Sequence, residues 1–224
     1  MSELLLVNEI FETIQGEGAH SGTPAVFIRL QGCPVGCPWC DTKHTWQRGA
    51  SDERSRANIL EKTESAPTWA AFTTEQLLDV VTTLRPRHVV ITGGEPCLYD
   101  LDPLTVGLIE GAGRRVQIET SGTQPVRADR RTWVTVSPKI SMPGGFTVRP
   151  DALARADEIK MPVGRPDDIE NLLALLAAEH HQPGVPVFLQ PLSSLRKATE
   201  LCIAAASAHD LRISVQLHAL LGWR

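Results

Sequence analysis

No apolar run in this chain approaches the roughly 20 residues that a membrane-spanning helix needs. Its N-terminus, MSELLLVNEIFETIQGEG, lacks a basic start and a cleavage site and carries Glu3, so it does not read as a signal peptide. Net charge is also scarce. A formal charge of −4 offers nucleic acid no general attraction and leaves only a local basic patch open. There is no internal repeat and no low-complexity tract. Cysteine is sparse, five residues in all, and in a cytoplasmic chain such a set points to metal or redox chemistry rather than a disulfide framework. What remains is 224 residues, the length of one domain, with 42% hydrophobic content, enough for a sizeable core. A soluble, cytoplasmic protein using neither membrane nor nucleic acid is expected.

Short β-branched runs punctuate the chain: AVFIRL (25–30), HVVITG (88–93), RVQIET (115–120), TWVTVS (132–137), DEIKMP (157–162) and VPVFLQP (185–191), with RISVQL (212–217) as a further candidate. Most read as continuously apolar, which suits parallel strands covered by helices. Helical patterns fall between several of them. TTEQLLDVVTTL (73–84) opens in capping-box style, and PLTVGLIEGA follows HVVITG. The strongest amphipathic segments are DDIENLLALLAAEH (167–180) and LRKATELCIAAASAH (195–209). The alternation predicts an α/β fold with a parallel sheet.

It is an incomplete alternation. Residues 121–131 contain Pro125 and are poor for a helix, and 138–156 leave room for one short helix at most. A full eightfold barrel typically takes about 250 residues. The expected architecture is therefore an open, partial, modified (β/α)6 barrel with reduced helices, spanning residues 1–224 as one domain. Residues 47–72, polar and without periodicity, read as an inserted surface loop or small helical appendage.

Chemistry concentrates in CPVGCPWC, which places Cys33, Cys37 and Cys40 within eight positions. Structural zinc usually takes four ligands, often as two pairs, and neither a second pair nor a trailing HxxxH is present, although His44 is near. A thioredoxin-like redox pair would leave Cys33 unexplained. Three thiolates on a [4Fe–4S] cluster leave one iron open to a reactive ligand. Pro34, Gly36 and Pro38 suit a tight wrap. Cys202, in LCIAAA, reads as a buried small hydrophobe, as does Cys97, which follows a glycine-rich turn.

C-x3-C-x2-C with Trp39 before the last cysteine resembles the radical S-adenosylmethionine enzymes. GGEP (93–96), directly after the strand HVVIT, supports the resemblance independently. Its glycines permit close backbone approach and Glu95 offers a carboxylate to an ammonium. NEIFETIQGEG, VFIRLQGCPVGCPWCDTKHTW, ITGGEPCL, IETSG, VSPK, ADEIK and Gln190–Pro191 together narrow the resemblance to the 7-carboxy-7-deazaguanine synthases. It covers the chain from about Asn8 onward and is loose in 47–72 and in the helices.

The resemblance implies conversion of 6-carboxy-5,6,7,8-tetrahydropterin to 7-carboxy-7-deazaguanine with loss of ammonia, in queuosine and 7-deazapurine biosynthesis. It implies a cluster on Cys33, Cys37 and Cys40, with S-adenosylmethionine as a recycled source of the 5′-deoxyadenosyl radical. It assigns S-adenosylmethionine to Trp39, Cys40, Asp41, Gly94, Glu95, Glu119, Ser137, Pro138, Lys139 and Gln190. Magnesium falls to Thr42, whose other reading is a cap for the next turn. The pterin falls to Ile14, Gln15, Gly16, Arg29, Thr92 and His218, and to Arg224 through its terminal carboxylate. Arg29 is suggestive by itself, since burying a guanidinium unpaired inside VFIRL would be costly. A flavodoxin-like electron donor and a homodimer are implied too. Two other classes stay open: a radical enzyme activating a glycyl-radical protein, and a non-catalytic iron–sulfur sensor or partner-binding protein.

Overall fold

The computed structural model describes residues 4–222. The chain begins with β1 (Leu5–Ile14) and β2 (Pro24–Leu30), then passes through the cysteine loop to a short helix α1 (Arg56–Leu60) and β3 (Ala70–Phe72). Next come α2 (Thr74–Thr83), β4 (His88–Gly93) and α3 (Asp102–Val106), which widens into a looser turn over Gly107–Gly111. β5 (Arg115–Thr120) and β6 (Trp133–Val136) follow without a helix between them, as Pro125 requires. α4 (Pro150–Ala154), β7 (Glu158–Val163), α5 (Pro166–Ala177), β8 (Val187–Pro191), α6 (Arg196–His209), β9 (Arg212–Ile213) and α7 (Leu217–Leu220) complete the order.

Among the described residues one nine-stranded sheet runs β3-β1-β2-β4-β5-β6-β7-β8-β9. β2 and β4 through β8 are parallel, the six strands expected, and β3 and β9 are edges, so the barrel stays open. Two strands were not expected. β1 pairs antiparallel with β2 and with β3, so the N-terminal segment widens the sheet. RISVQL is a strand only at Arg212–Ile213. Beyond it, Ser214 bonds back to Leu189 and the chain turns into α7, which brings Gln216 and His218 under the mouth of the barrel.

The strands are not continuously apolar; they alternate. Val89 and Ile91 of β4 and Val116 and Ile118 of β5 enter the outer core under α2 and α3. Val134, Val136, Ile159, Met161 and Leu189 do the same beneath α5 and α6. The intervening residues face the barrel's interior, because successive side chains of a strand point to opposite faces. They form layers: His88, Arg115 and Trp133 at the bottom, Gln117 and Thr135 in the middle, Thr92, Glu119 and Ser137 at the top. The apolar core thus lies outside the barrel, and its lumen is polar.

β1 joins this scheme through a register shift between Val7 and Glu9. Leu5 and Val7 lie in the core before it, Ile10 after it, so the bulge turns Glu9, Phe11 and Thr13 toward the mouth. Asn8, fully buried at the shift, donates to Gln31 Oε1 and to the carbonyls of Ala66 and Thr68. Lys62 Nζ donates to Asn8, Ala66 and Thr68. Residues 47–72 are therefore tied into the sheet, with β3 paired to β1 and Ile59 in the core. α2 is started by a reciprocal cap in which Gln76, not Glu75, partners Thr73; such caps contribute about 1 kcal/mol. α6 buries Ala198, Cys202 and Ala205 on one stripe, as the helical period dictates.

Candidate active site

At the C-terminal ends of the parallel strands lies a cavity of about 460 Å³, within the usual range for ligand sites, roughly 300–1,000 Å³. Cys33, Cys37 and Cys40 are free thiols and all line it. Gly36 takes φ +73°, a left-handed conformation that glycine adopts without strain, and Cys40 N donates to Cys37 O to close the loop. Burial pushes the Cys33 thiol up to about 11 and raises Cys37 also, although Lys139 lowers Cys37 in part. Among the described residues no three His, Cys, Asp or Glu side chains converge as a single-ion site. Three free thiols lining one cavity suit an iron–sulfur cluster, whose irons are held one thiolate each.

The GG turn after β4 lies directly against this loop. Gly94 N donates to Leu30 O and Glu95 N to Gly32 O. A Cβ on Gly94 would stand 2.2 Å from the Gly32 carbonyl oxygen and 3.0 Å from Cys33 Cβ. The glycine is thus required by the cysteine loop as well as by any ligand. Glu95 is buried beneath the cavity, where its carboxylate accepts from Thr120 Oγ1, Cys97 N, and both the backbone and hydroxyl of Ser121. In this structure it orders the IETSG turn rather than facing the cavity wall.

The same cavity also holds a buried charged cluster. Lys160 Nζ lies 2.5 Å from Glu17 Oε2 and 2.8 Å from Glu119 Oε2. Gln15 and Gln117 donate to Glu119 Oε1, and Gln216 to Glu17 Oε1. One ammonium cannot neutralise two carboxylates. Burial raises Glu119 to about 7, Glu17 adds to the rise, and Lys160 offsets it in part. Burial would raise Glu17 too, but Lys160 outweighs it and holds that carboxyl low. Of the two carboxyls, Glu119 is the one raised and Glu17 the one lowered.

Arg29 projects into the cavity while Ile28 and Leu30 enter the core. Its guanidinium has an anion within the protein: Nε donates to Glu9 Oε1 at 2.6 Å. The bulge at Asn8 supplies that carboxylate. Thr42 precedes a short helical turn but its hydroxyl caps nothing there; it lies 3.5 Å from Cys40 Sγ. His44 also lines the cavity, and its Nε2 is buried without a hydrogen-bond partner among the described residues. Lys139 Nζ donates to the carbonyl and hydroxyl of Ser137 and stands 5.1 Å from the Trp39 ring centroid.

Ile14, Gln15, Arg29, Trp39, Asp41, Thr42, Thr92, Gly94, Glu119, Ser137, Lys139, Gln190 and His218 all line this cavity with the three cysteines. Gly16 lies behind the wall, its carbonyl accepting from Leu217 N and its Cα covered by the His218 ring. Pro138 is buried between two lining residues. Arg224 lies outside the described residues. Glu9, Glu17 and Lys160 line the cavity too, and no motif marks them individually in the sequence. Lys160 was legible, since a lysine alternating with Ile159 and Met161 needs a buried anion.

Three comparisons bear on this site. Residues 27–132 match the family model of the radical SAM superfamily. The chain is 53% identical to the 7-carboxy-7-deazaguanine synthase of Escherichia coli (strain K12), over 96% of this chain and 97% of that one. It is 36% identical to the one from Synechocystis sp., over 100% and 98% respectively. Its fold matches a crystal structure of QueE from Escherichia coli with a TM-score of 0.90 at 52% identity, covering 96% of this chain and 95% of that chain.

Proposed function

Because the chain belongs to the 7-carboxy-7-deazaguanine synthase family of radical SAM enzymes, we propose that it contracts the ring of 6-carboxy-5,6,7,8-tetrahydropterin to 7-carboxy-7-deazaguanine with release of ammonia. One observation supports this above the others: three thiols and a polar, charge-paired pocket share a single cavity. When bound, the cluster and S-adenosylmethionine supply the one-electron chemistry and the carbon radical that takes a hydrogen from the substrate.

The residues divide by wall. Cys33, Cys37 and Cys40 hold the cluster. Trp39, Asp41, Gly94, Ser137, Lys139 and Gln190, with Pro138 shaping the turn, form the S-adenosylmethionine side, and Glu95 acts from beneath by fixing that turn. Gln15, Arg29, Thr92 and His218, with Ile14 and Gly16, form the pterin side. Glu119 sits between them, its carboxyl held in place by hydrogen bonds from Gln15, Gln117 and Lys160. Arg29 has N–H groups beyond the one given to Glu9 and uses them on the substrate carboxylate. Thr42 offers magnesium a hard oxygen close to the cluster loop.

The radical chemistry draws its electron from an external donor, such as a flavodoxin-like protein. The chain works as one domain, with 47–72 an elaboration of the barrel. Free thiols suit a reducing cytoplasm. Exposed Ile213, Leu220 and Leu221 beside the open edge at β9 support a homodimer. The deciding experiment is mass spectrometry of the product formed from carboxytetrahydropterin under reducing, oxygen-free conditions. Turnover of S-adenosylmethionine without 7-carboxy-7-deazaguanine would overturn the assignment.

A further inference from the structure

Below the active-site cavity, the lumen of the barrel holds a chain of buried polar side chains. His88 Nε2 lies 2.8 Å from Gln117 Oε1. Gln117 Nε2 lies 3.0 Å from Glu119 Oε1 and 2.9 Å from Thr135 Oγ1. Thr135 Oγ1 in turn donates to Glu158 Oε1 at 2.7 Å. Gln117 and Thr135 are fully buried, and His88 is 1% exposed. Glu119 lines the upper cavity, whereas His88, Gln117 and Thr135 lie outside its lining.

The direction of the chain follows from its ends. A glutamine amide beside a carboxylate turns its N–H groups to it, because oxygen against oxygen repels. That leaves Gln117 Oε1 toward His88, so the histidine carries its proton on Nε2. Thr135 spends its one proton on Glu158 and therefore accepts from Gln117. Burial lowers the pKa of His88, the bond to Gln117 offsets part of this, and His20 and Arg115 lower it further. The neutral ring has a single N–H, and Gln117 takes it.

At the upper end two amides converge on one oxygen. Glu119 Oε1 accepts from Gln117 and from Gln15, the latter at 3.1 Å, while Oε2 accepts from Lys160. Gln15 is itself oriented by Glu17 N, which donates to its Oε1 at 3.1 Å. Gln15 and Lys160 line the cavity, where a ligand can compete for their hydrogen bonds. Gln117 lies outside it and cannot be displaced.

We propose that His88 is a positioning residue of the active site: through Gln117 it fixes the Glu119 carboxyl, and with it Gln15, where the substrate meets them. Side chains that contact a ligand are held in place by supporting bonds of this kind. The inference rests on the pterin reading of the cavity.

Anaerobic calorimetry of the full-length, cluster-loaded protein with carboxytetrahydropterin, without reductant, tests this. Gln117→Met removes the amide; His88→Phe keeps the ring that packs on His20 and loses the donor. Each should weaken pterin binding about tenfold. His88→Gln, whose amide nitrogen reaches the place of Nε2, should bind within about threefold of the parent. In the double variant the two losses should not multiply, because both break one chain. Multiplying losses, parent-like binding in His88→Phe, or a His88→Gln as weak as His88→Phe would overturn the proposal. Should His88→Phe fail to fold, Gln117→Met still decides, since parent-like binding there overturns the chain at its middle. A parent that binds no pterin would refute the substrate assignment instead. The positioning role is then read from the carboxyl resonance of Glu119 in ligand-free protein carrying isotope-labelled glutamate, assigned through Glu119→Gln. That resonance should move alike in Gln117→Met and His88→Phe and stay in place in His88→Gln. A resonance indifferent to His88→Phe would overturn the role whatever the substrate.

Discussion

Lys160 Nζ stands 2.8 Å from Glu119 Oε2, and the lysine's other short contact is to Glu17. The two side chains enter the barrel from β5 and β7 and both line the cavity. Its charge imbalance has a measurable signature. Glu119 is raised from an ordinary 4.5 to about 7, so between those values the folded state binds more protons than the unfolded chain. Stability from this group therefore falls as pH rises from about 4.5 to about 7. Glu17, held low, acts oppositely: its contribution is present above 4.5 and is lost as pH falls toward about 2. Urea midpoints across pH 5–7.5 should fall more in the parent than in Glu119→Gln (pH values chosen about this window). Parallel curves would remove Glu119 as the titrating group.

Gly94→Ala tests whether the GG turn and the cysteine loop are one unit. The added methyl would meet backbone at 2.2 Å, and backbone does not yield as a flexible side chain does. The variant should reconstitute less than half the parent's iron (an order-of-magnitude expectation for overpacking of about 1–3 kcal/mol). A normal iron content would show that the loop can move aside.

Cluster ligation is read from metal analysis. Reconstituted parent protein should hold about four irons, whereas Cys33→Ala, Cys37→Ala and Cys40→Ala should each lose the cluster's visible absorbance. Cys202→Ala, which trims the outer core under α6, should keep it and lose only some stability.

Arg29→Ala removes the guanidinium partner of Glu9, so two readouts are expected to change. Pterin affinity should fall about 10- to 150-fold, the range for a lost charge-assisted hydrogen bond. The melting temperature should also fall, because Glu9 is nearly buried. Arg29→Lys should recover little of either, as an ammonium lacks the planar fork. Unchanged pterin binding together with lost S-adenosylmethionine binding would reverse the division of the cavity into two sides.

Thr42→Ala should weaken activation by magnesium and leave the cluster spectrum intact, since the hydroxyl touches Cys40 Sγ only at 3.5 Å and caps no turn. Magnesium titrations of product formation in the two proteins decide the matter; superimposable curves would take the metal away from Thr42.

The six parallel strands, the longer helices α2, α5 and α6 and the missing helix after β5 were legible, because each rests on local pattern or on a single proline. The cysteines and GGEP were legible through fixed spacing. β1 was not, because its alternation breaks at Asn8 and a bulge erases the period-two signal that marks a strand. The same break hid Glu9, whose link to Arg29 depends on a register set across two strands. Glu17 escaped for another reason: it lies in a turn, and its partner Lys160 is 143 residues away. The tail of RISVQL was misread because edge pairing stops where Ser214 is claimed by Gly18 and Gln190.

The alternation along β4 to β7 has an evolutionary consequence. Val89, Ile91, Ile118, Val134 and Ile159 pack the outer core, while Thr92, Gln117, Glu119, Thr135 and Lys160 face the lumen. Neighbours in the chain thus meet different surroundings, so a change in one set need not disturb the packing of the other. A single-residue insertion or deletion within any of these strands would exchange the two sets at once, so substitutions should accumulate here far more freely than changes in strand length.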